Sequence, residues 1–540
     1  MSLKKTILAV AAVGALTAAT AVPAMALENE FHGMYKMKYF VSNFDNSSAG
    51  YFYEGATSPT KGVSQSAVNY FEQRARLFYN AKANDDLKLV VAFEMDAVFG
   101  DRSQGGFTLA NGTNTGTVNN GTAFRNSGGA LDTDAVNLET KWVHLDFNVP
   151  GVPTNVKVGT QAIKDSLKGV LFDADAAGIF TSTKIGSSAK VNVGYFRGYE
   201  GNNGDVNGGG TAGGVGFKMG VNNLDIAILE GKFNITKDIA VGADYYGYFD
   251  YRDNRATVLD HTFAVNADAA MGPLALSGFL AGQVGTTRNS SGAVAGSVNN
   301  STASVDMSGI AANVAARLQV GPGTAKIAGL YTSGDDGKSA NKNKSWLSLQ
   351  QSVAGVRGNG TTNATGVTPT AGSLVGQSNA PALNTYNESG MMLLNRNSAT
   401  QGGSSDRTII STTNNRDQGA ILLTAGYEAN LTPKLYANAN VGFGWTAENR
   451  STNLNDQGDA DAIKPTRTSG AAGVRNSSNF LGTEINVEAG YKLYDNLTAS
   501  VQAAYVVLGD YYAGTNQVPG RAGTDPDNPY TARLVLSYVF

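Results

Sequence analysis

The chain closes on Tyr530-Thr531-Ala532-Arg533-Leu534-Val535-Leu536-Ser537-Tyr538-Val539-Phe540. The residues alternate. Tyr530, Ala532, Leu534, Leu536, Tyr538 and Phe540 fall on one face of an extended chain, and Thr531, Arg533, Val535, Ser537 and Val539 on the other. Successive side chains of a strand point to opposite faces, so this is a strand with an aromatic-rich apolar face and a face that carries a cation. A soluble sheet can alternate likewise, but a soluble chain rarely closes mid-strand on an exposed aromatic residue.

The pattern recurs at the other end of the chain. Phe31, Tyr35, Met37, Tyr39 and Val41 oppose His32, Lys36 and Lys38. Phe71, Ala75, Leu77 and Tyr79 oppose Glu72, Arg74 and Arg76, and Leu87, Leu89, Val91, Phe93 and Met95 oppose Lys88, Glu94 and Asp96. Lipid requires such confinement of charge, because Arg or Lys on a lipid-facing position costs about 2–4 kcal/mol at the bilayer midplane. In a fourth segment Val136 and Leu138 share a parity that Val143, Leu145 and Phe147 break, which predicts a bulge near Trp142.

Short turns separate these segments at Ala83–Asp86, Pro150–Pro153, Gly186–Ser188, Thr236–Asp238, Met271–Pro273, Gly321–Gly323, Leu431–Lys434 and Tyr494–Asn496. Longer polar links lie between them, near 45–66, 100–133, 163–178, 200–222, 287–302, 334–418, 448–479 and 510–528, with one short link near 252–256. Short turns at one end and long loops at the other predict an all-β, transmembrane antiparallel barrel of about 18 strands, with 16 as the alternative. The 334–418 stretch is too long for a plain loop and carries apolar pieces at Trp346–Leu349 and Met391–Leu394. An extra hairpin, a lid and a segment folded into the lumen all fit it.

Composition agrees. The 540 residues include 66 Gly and 45 Tyr plus Phe, but only 16% charged residues, below the roughly 25% of soluble domains. There is no cysteine, which excludes disulfides, thiol catalysis and Cys-linked haem. Lys4 and Lys5, the apolar Thr6–Val22 and Ala24-Met25-Ala26 read as a signal peptide over 1–26, leaving a mature chain of 27–540 that begins at Leu27. No later run of about 20 apolar residues offers a spanning helix. The formal charge of −3 gives no reason to expect nucleic-acid binding.

The export signal, the alternating strands, the aromatic outer positions and the terminal Tyr538-Val539-Phe540 together resemble Gram-negative outer-membrane porins, over nearly the whole mature chain. The resemblance implies a cell-outer-membrane protein set among lipid and lipopolysaccharide. It implies that Tyr538 and Phe540 are read by the barrel assembly machinery. It also implies a homotrimer, with 100–133 as a latch, and passive diffusion of ions and small hydrophilic solutes without a cofactor. The third connection, 163–178, corresponds in position to the porin constriction loop, giving Asp165, Asp173 and Asp175 the role of constriction acids.

The opposing wall follows from the residues themselves. Lys36, Lys38, Arg74, Arg76 and Arg533 point inward near mid-height and form a basic ladder. Facing acids, such a ladder sets a transverse field across a low-dielectric passage and biases ion selectivity. The bland reading pairs these cations with Glu72, Glu94 and Asp96 within the wall. The three histidines, His32, His144 and His261, are far apart, and Asp456–Asp461 lacks an EF-hand pattern. No hydrolase or nucleotide-binding motif is present. Three rivals stand beside a diffusion pore. One is a substrate-specific channel using Tyr245, Tyr246, Tyr248, Phe249 and Tyr251. The second is a sheath for an exported redox protein, and the third a barrel enzyme.

Overall fold

The computed structural model describes residues 27–44, 67–100, 138–200, 223–253, 256–289, 304–336, 339, 342–349, 383–397, 408–410, 412–415, 417–449, 478–513 and 525–540. The signal segment 1–26, the proposed latch beyond residue 100 and the acidic Asp456–Asp461 fall outside these.

The described strands are β1 (Glu28–Ser42), β2 (Val68–Asn84), β3 (Leu87–Val98), β4 (Glu139–Asn148), β5 (Thr154–Lys164), β6 (Asp173–Ile185), β7 (Ala189–Glu200), β8 (Asn223–Asn234), β9 (Ile239–Asp253) and β10 (Ala256–Met271). They continue with β11 (Leu274–Asn289), β12 (Val305–Met307), β13 (Ile310–Val320), β14 (Gly323–Thr332), β15 (Lys342–Asn343), β16 (Ala420–Asn430), β17 (Leu435–Trp445), β18 (Phe480–Tyr494), β19 (Leu497–Leu508) and β20 (Tyr530–Val539). The three-residue β12 and two-residue β15 pair in parallel beside β11. The other 18 form the wall, each antiparallel to its neighbours. β20 closes on β1 in the register Tyr35↔Tyr538 and Phe40↔Arg533. The 16-strand alternative is thereby set aside. Closure leaves no sheet edge, which is how a strand wall survives in lipid.

The outer face is apolar. Phe31, Leu145, Val193, Leu229, Phe263, Leu280, Val314, Ile327, Leu423, Ile485, Val501 and Leu534 are all exposed there. On a soluble protein so continuous an apolar band would drive aggregation, whereas around a closed barrel it is the lipid-facing surface. The architecture is that of a transmembrane β-barrel. Every short turn expected from the sequence joins consecutive wall strands. The register slips opposite Lys141, between Ala92↔Trp142 and Phe93↔Thr140, where a bulge was expected.

The third connection is shorter than 163–178. β5 runs on to Lys164 and β6 begins at Asp173, so the loop is only 165–172. This hairpin leaves the wall. β4 pairs with β5 only as far as Thr160, and β6 pairs with β7 only from Ala177, yet β5 and β6 stay paired up to Lys164↔Asp173. Two glycines in register, Gly159↔Gly178, mark the departure. A Cβ on either would lie 2.2 Å from a neighbouring strand's carbonyl oxygen, so only glycine lets the strands lie this close at the bend.

The hydrophobic core lies inside the barrel. Leu167, Val170, Leu171 and Phe172 of the loop pack with Trp346, Leu349, Tyr386 and Ile410, all from the 334–418 stretch. Their floor is the inward faces of β7 to β16, where Phe196, Leu224, Ile226, Ile228, Phe279, Leu330 and Leu422 are buried. Of the options open for 334–418, its described pieces thus take the lumen.

Candidate functional site: the lumen

Asp165 organises the loop. It is buried, and its carboxylate accepts the backbone N–H groups of Leu167 (2.8 Å), Gly169 (2.7 Å), Leu171 (2.7 Å) and Phe172 (2.6 Å). Burial pushes this carboxyl up to about 7 even though each amide pulls it the other way. The loop is then pinned to the far wall. The Ser166 N–H donates to the Tyr246 hydroxyl (2.9 Å), and the Ser166 hydroxyl donates to Asp244 (2.6 Å). Tyr246 in turn donates to Glu230 (2.8 Å) and meets the Phe172 ring edge-on at 5.4 Å. Tyr246→Phe removes a buried donor and acceptor together, which is expected to cost about 1–3 kcal/mol. Faster hydrogen exchange at the Ser166 amide, with the barrel still folded, is the readout.

Loop and insert lock together. The Val170 carbonyl accepts from the Thr413 hydroxyl (2.6 Å) and the Trp346 indole (3.3 Å). The Thr385 N–H reaches the Gly169 carbonyl (2.8 Å), and the Leu349 N–H the Leu171 carbonyl (2.8 Å). At the loop tip Lys168 adopts φ 65° and stands 3.9 Å from Asp268 and 3.8 Å from Glu388. With Arg317, these side chains border a cavity of about 380 Å³ that reaches the turn Thr236–Asp238.

The opposite arc, from β20 through β1 and β2 to β3, is charged. Cross-strand register places Lys36 beside Arg74, Lys38 beside Glu72, Arg74 beside Asp96, and Arg76 beside Glu94. Arg74 holds Asp96 in a two-pronged ion pair and lies 3.4 Å from Glu94, while Arg76 pairs with Glu94. Lys38 and Arg533 are buried over the Phe40 ring, at 5.5 and 5.0 Å from its centroid. All five ladder cations and Glu72, Glu94 and Asp96 therefore share the inward face, and the ion pairing of the bland reading holds for Arg74 and Arg76. Their side chains stay partly exposed, at 14% and 28%.

The constriction acids are placed otherwise than expected. Asp165 spends its oxygens on its own loop. Asp173 and Asp175 belong to β6, in register with Lys164 and Ala162. Asp173 bonds Lys164 (2.8 Å) and the Thr385 hydroxyl (2.9 Å). Asp175 bonds Lys141 (2.6 Å) and the Trp142 indole (2.6 Å). All three hold the hairpin and loop in place, so what opposes the ladder is a packed inner layer rather than a row of free carboxylates.

The aromatic candidates divide by strand parity. Tyr246 and Tyr248 face inward, where Tyr246 is sealed under the loop. Tyr245 stands on the outer side, in register with the exposed Phe263 and 5.4 Å from its ring, and its hydroxyl meets His261 at 2.9 Å. His32 stacks on Phe78 at 5.1 Å and His144 contacts the Thr160 carbonyl at 3.2 Å, so the three histidines lie apart. Tyr538 and Phe540 stack at 5.4 Å, and Phe540 extends the closure by exchanging backbone bonds with Gly33.

No protein-family model matches the chain, and no curated protein does either. Among solved structures it is similar to Pseudomonas aeruginosa OccK8 (OprE), with 12% identity, 95% of this chain and 98% of that chain covered, and a TM-score of 0.47. The outer membrane protein opdK of the same organism gives 12%, 95%, 98% and 0.46, and Acinetobacter baumannii OccAB4 gives 10%, 96%, 100% and 0.45. At these scores the likeness decides nothing about this lumen, whose description stands on its own side chains.

Proposed function

We propose that the protein is an outer-membrane porin that passes ions and small hydrophilic solutes passively along the charged arc of β20, β1, β2 and β3. The observation that carries this reading is the division of the inner wall. The basic ladder and its acid partners line one arc, and the loop and insert pack chiefly against the wall from β7 to β19. A narrow passage with a charged wall admits polar solutes and penalises apolar ones. Proteoliposomes in a series of neutral sugars test it. Swelling should fall steeply as the sugar grows, and swelling no faster than in protein-free liposomes would contradict the reading.

The ladder acts on selectivity through its charge. Arg74→Gln with Arg76→Gln removes two positive charges from the arc and unpairs Glu94 and Asp96. The reversal potential in a salt gradient should therefore move toward cations, and an unchanged potential would sink the ladder's role. The inner layer, by narrowing the lumen, also favours a substrate-specific channel as the second reading. Saturable block of ion current by one solute would mark that case. We further propose a homotrimer, which the mass of the cross-linked barrel would show.

A further inference from the structure

We propose that Glu484 is the anchor that holds a strap of the insert, residues 389–395, against the wall, and that this strap sets the width of the passage. The second half rests on the channel reading above.

Glu484 lies on the inward face of β18 and is fully buried. One carboxylate oxygen accepts the Met392 N–H (2.7 Å), and the other accepts those of Leu393 (2.9 Å) and Leu394 (2.6 Å). An ionised carboxylate only accepts, and three successive amides are a nest that suits an anion. The neighbouring side chains extend the same seat. Asn486 donates to Glu484 (2.7 Å) and to the Gly390 carbonyl (3.1 Å), and Asn440 donates to Asn486 (2.8 Å). The wall leaves space for the strap: a Cβ on Gly442 would lie 2.3 Å from the Met391 sulfur.

The strap is otherwise held by apolar burial. Met391, Met392, Leu393 and Leu394 are buried with Phe44, Ala504 and Val506. It is also coupled to the constriction loop. The Ile409 and Ile410 N–H groups donate to the Leu393 and Leu394 carbonyls (both 2.8 Å), and Ile410 belongs to the core that contains Val170 and Trp346. Dispersion and burial alone would let such a strap slide along the wall. The carboxylate fixes its register, because its three hydrogen bonds form at one position only. Removing one strand's width of chain from a lumen frees about 5 Å.

The test has two readouts. In the cysteine-free full-length chain, Leu393→Cys is labelled with a water-soluble maleimide, with and without Glu484→Ala. Labelling should be slow with Glu484 present and at least about tenfold faster without it, since the buried strap must open to react. Conductance in potassium chloride should rise about twofold or more in Glu484→Ala. A disulfide between Met391→Cys and Gly442→Cys should return it to the wild-type value until a reductant is added. Unchanged labelling overturns the anchor. Faster labelling with unchanged conductance overturns the strap as the determinant of width. A wild-type barrel that does not conduct, but whose labelling still responds to Glu484→Ala, refutes the channel reading and supports the anchor.

Discussion

Asp165→Ala is expected to release the 165–172 loop from its folded form while leaving the barrel closed. The side chain is buried, and its two oxygens satisfy four backbone N–H groups. Alanine offers none of these acceptors, and a buried donor left unsatisfied costs roughly 1–3 kcal/mol. Even after partial rescue by water, a loss of about 4 kcal/mol or more is expected for the loop and the pieces packed on it. The wall strands keep their ladders, because the loop contributes none of their pairing. The loss is therefore local. Hydrogen exchange should accelerate at Leu167, Gly169, Leu171 and Phe172, and at Thr385 and Leu349, whose amides bond to the loop's carbonyls. The wall amides should be unaffected. Asp165→Asn keeps one acceptor oxygen and should fall between. Global unfolding of the barrel by Asp165→Ala would show that the inner layer supports the wall, contrary to the arrangement described.

Val314→Arg is the second large effect and acts on the opposite face. Val314 is 66% exposed at the middle of β13, pointing outward. An exposed surface site in a soluble protein tolerates arginine within about 0.5 kcal/mol. In lipid the same change costs about 2–4 kcal/mol at mid-depth. Reversible urea unfolding in lipid vesicles should show this loss, and Val320→Arg, at the turn end of the same strand, should lose about 1 kcal/mol or less. Equal and negligible losses at both sites would contradict a membrane-facing exterior.

Much of this was legible from parity. In β1, β2, β3 and β20 charge sits on one side of each strand, and the structure puts that side inward. Pro150–Pro153 and Leu431–Lys434 named their turns because such residues cannot continue a ladder. The inner layer was not legible in the same way, since it pairs little as sheet. Asp165 reads as one more polar loop residue, and its role appears only once four amides converge on it. A usable signal was present all the same. Ile226-Ala227-Ile228-Leu229 is apolar on both faces, and a strand with lipid on one side and water on the other has no need of that. The small or apolar inward residues Ala311 and Ala315, Ala328 and Leu330, and Ala504 and Val506 repeat the message on three further strands. Each marks wall that something covers from within. Asp173 and Asp175 were misread for a related reason. The run Asp173-Ala174-Asp175-Ala176-Ala177 lacks bulky alternation, so the start of β6 looks like loop.

The central claim is that a passage runs between the charged arc and the inner layer. Single-channel recording of the purified barrel in a planar bilayer under a salt gradient tests it most directly. Discrete ohmic steps are expected, with a reversal potential that moves toward cations when Arg74 and Arg76 are both replaced by glutamine. A folded barrel that gives no steps would contradict the account and show that the inner layer seals the lumen.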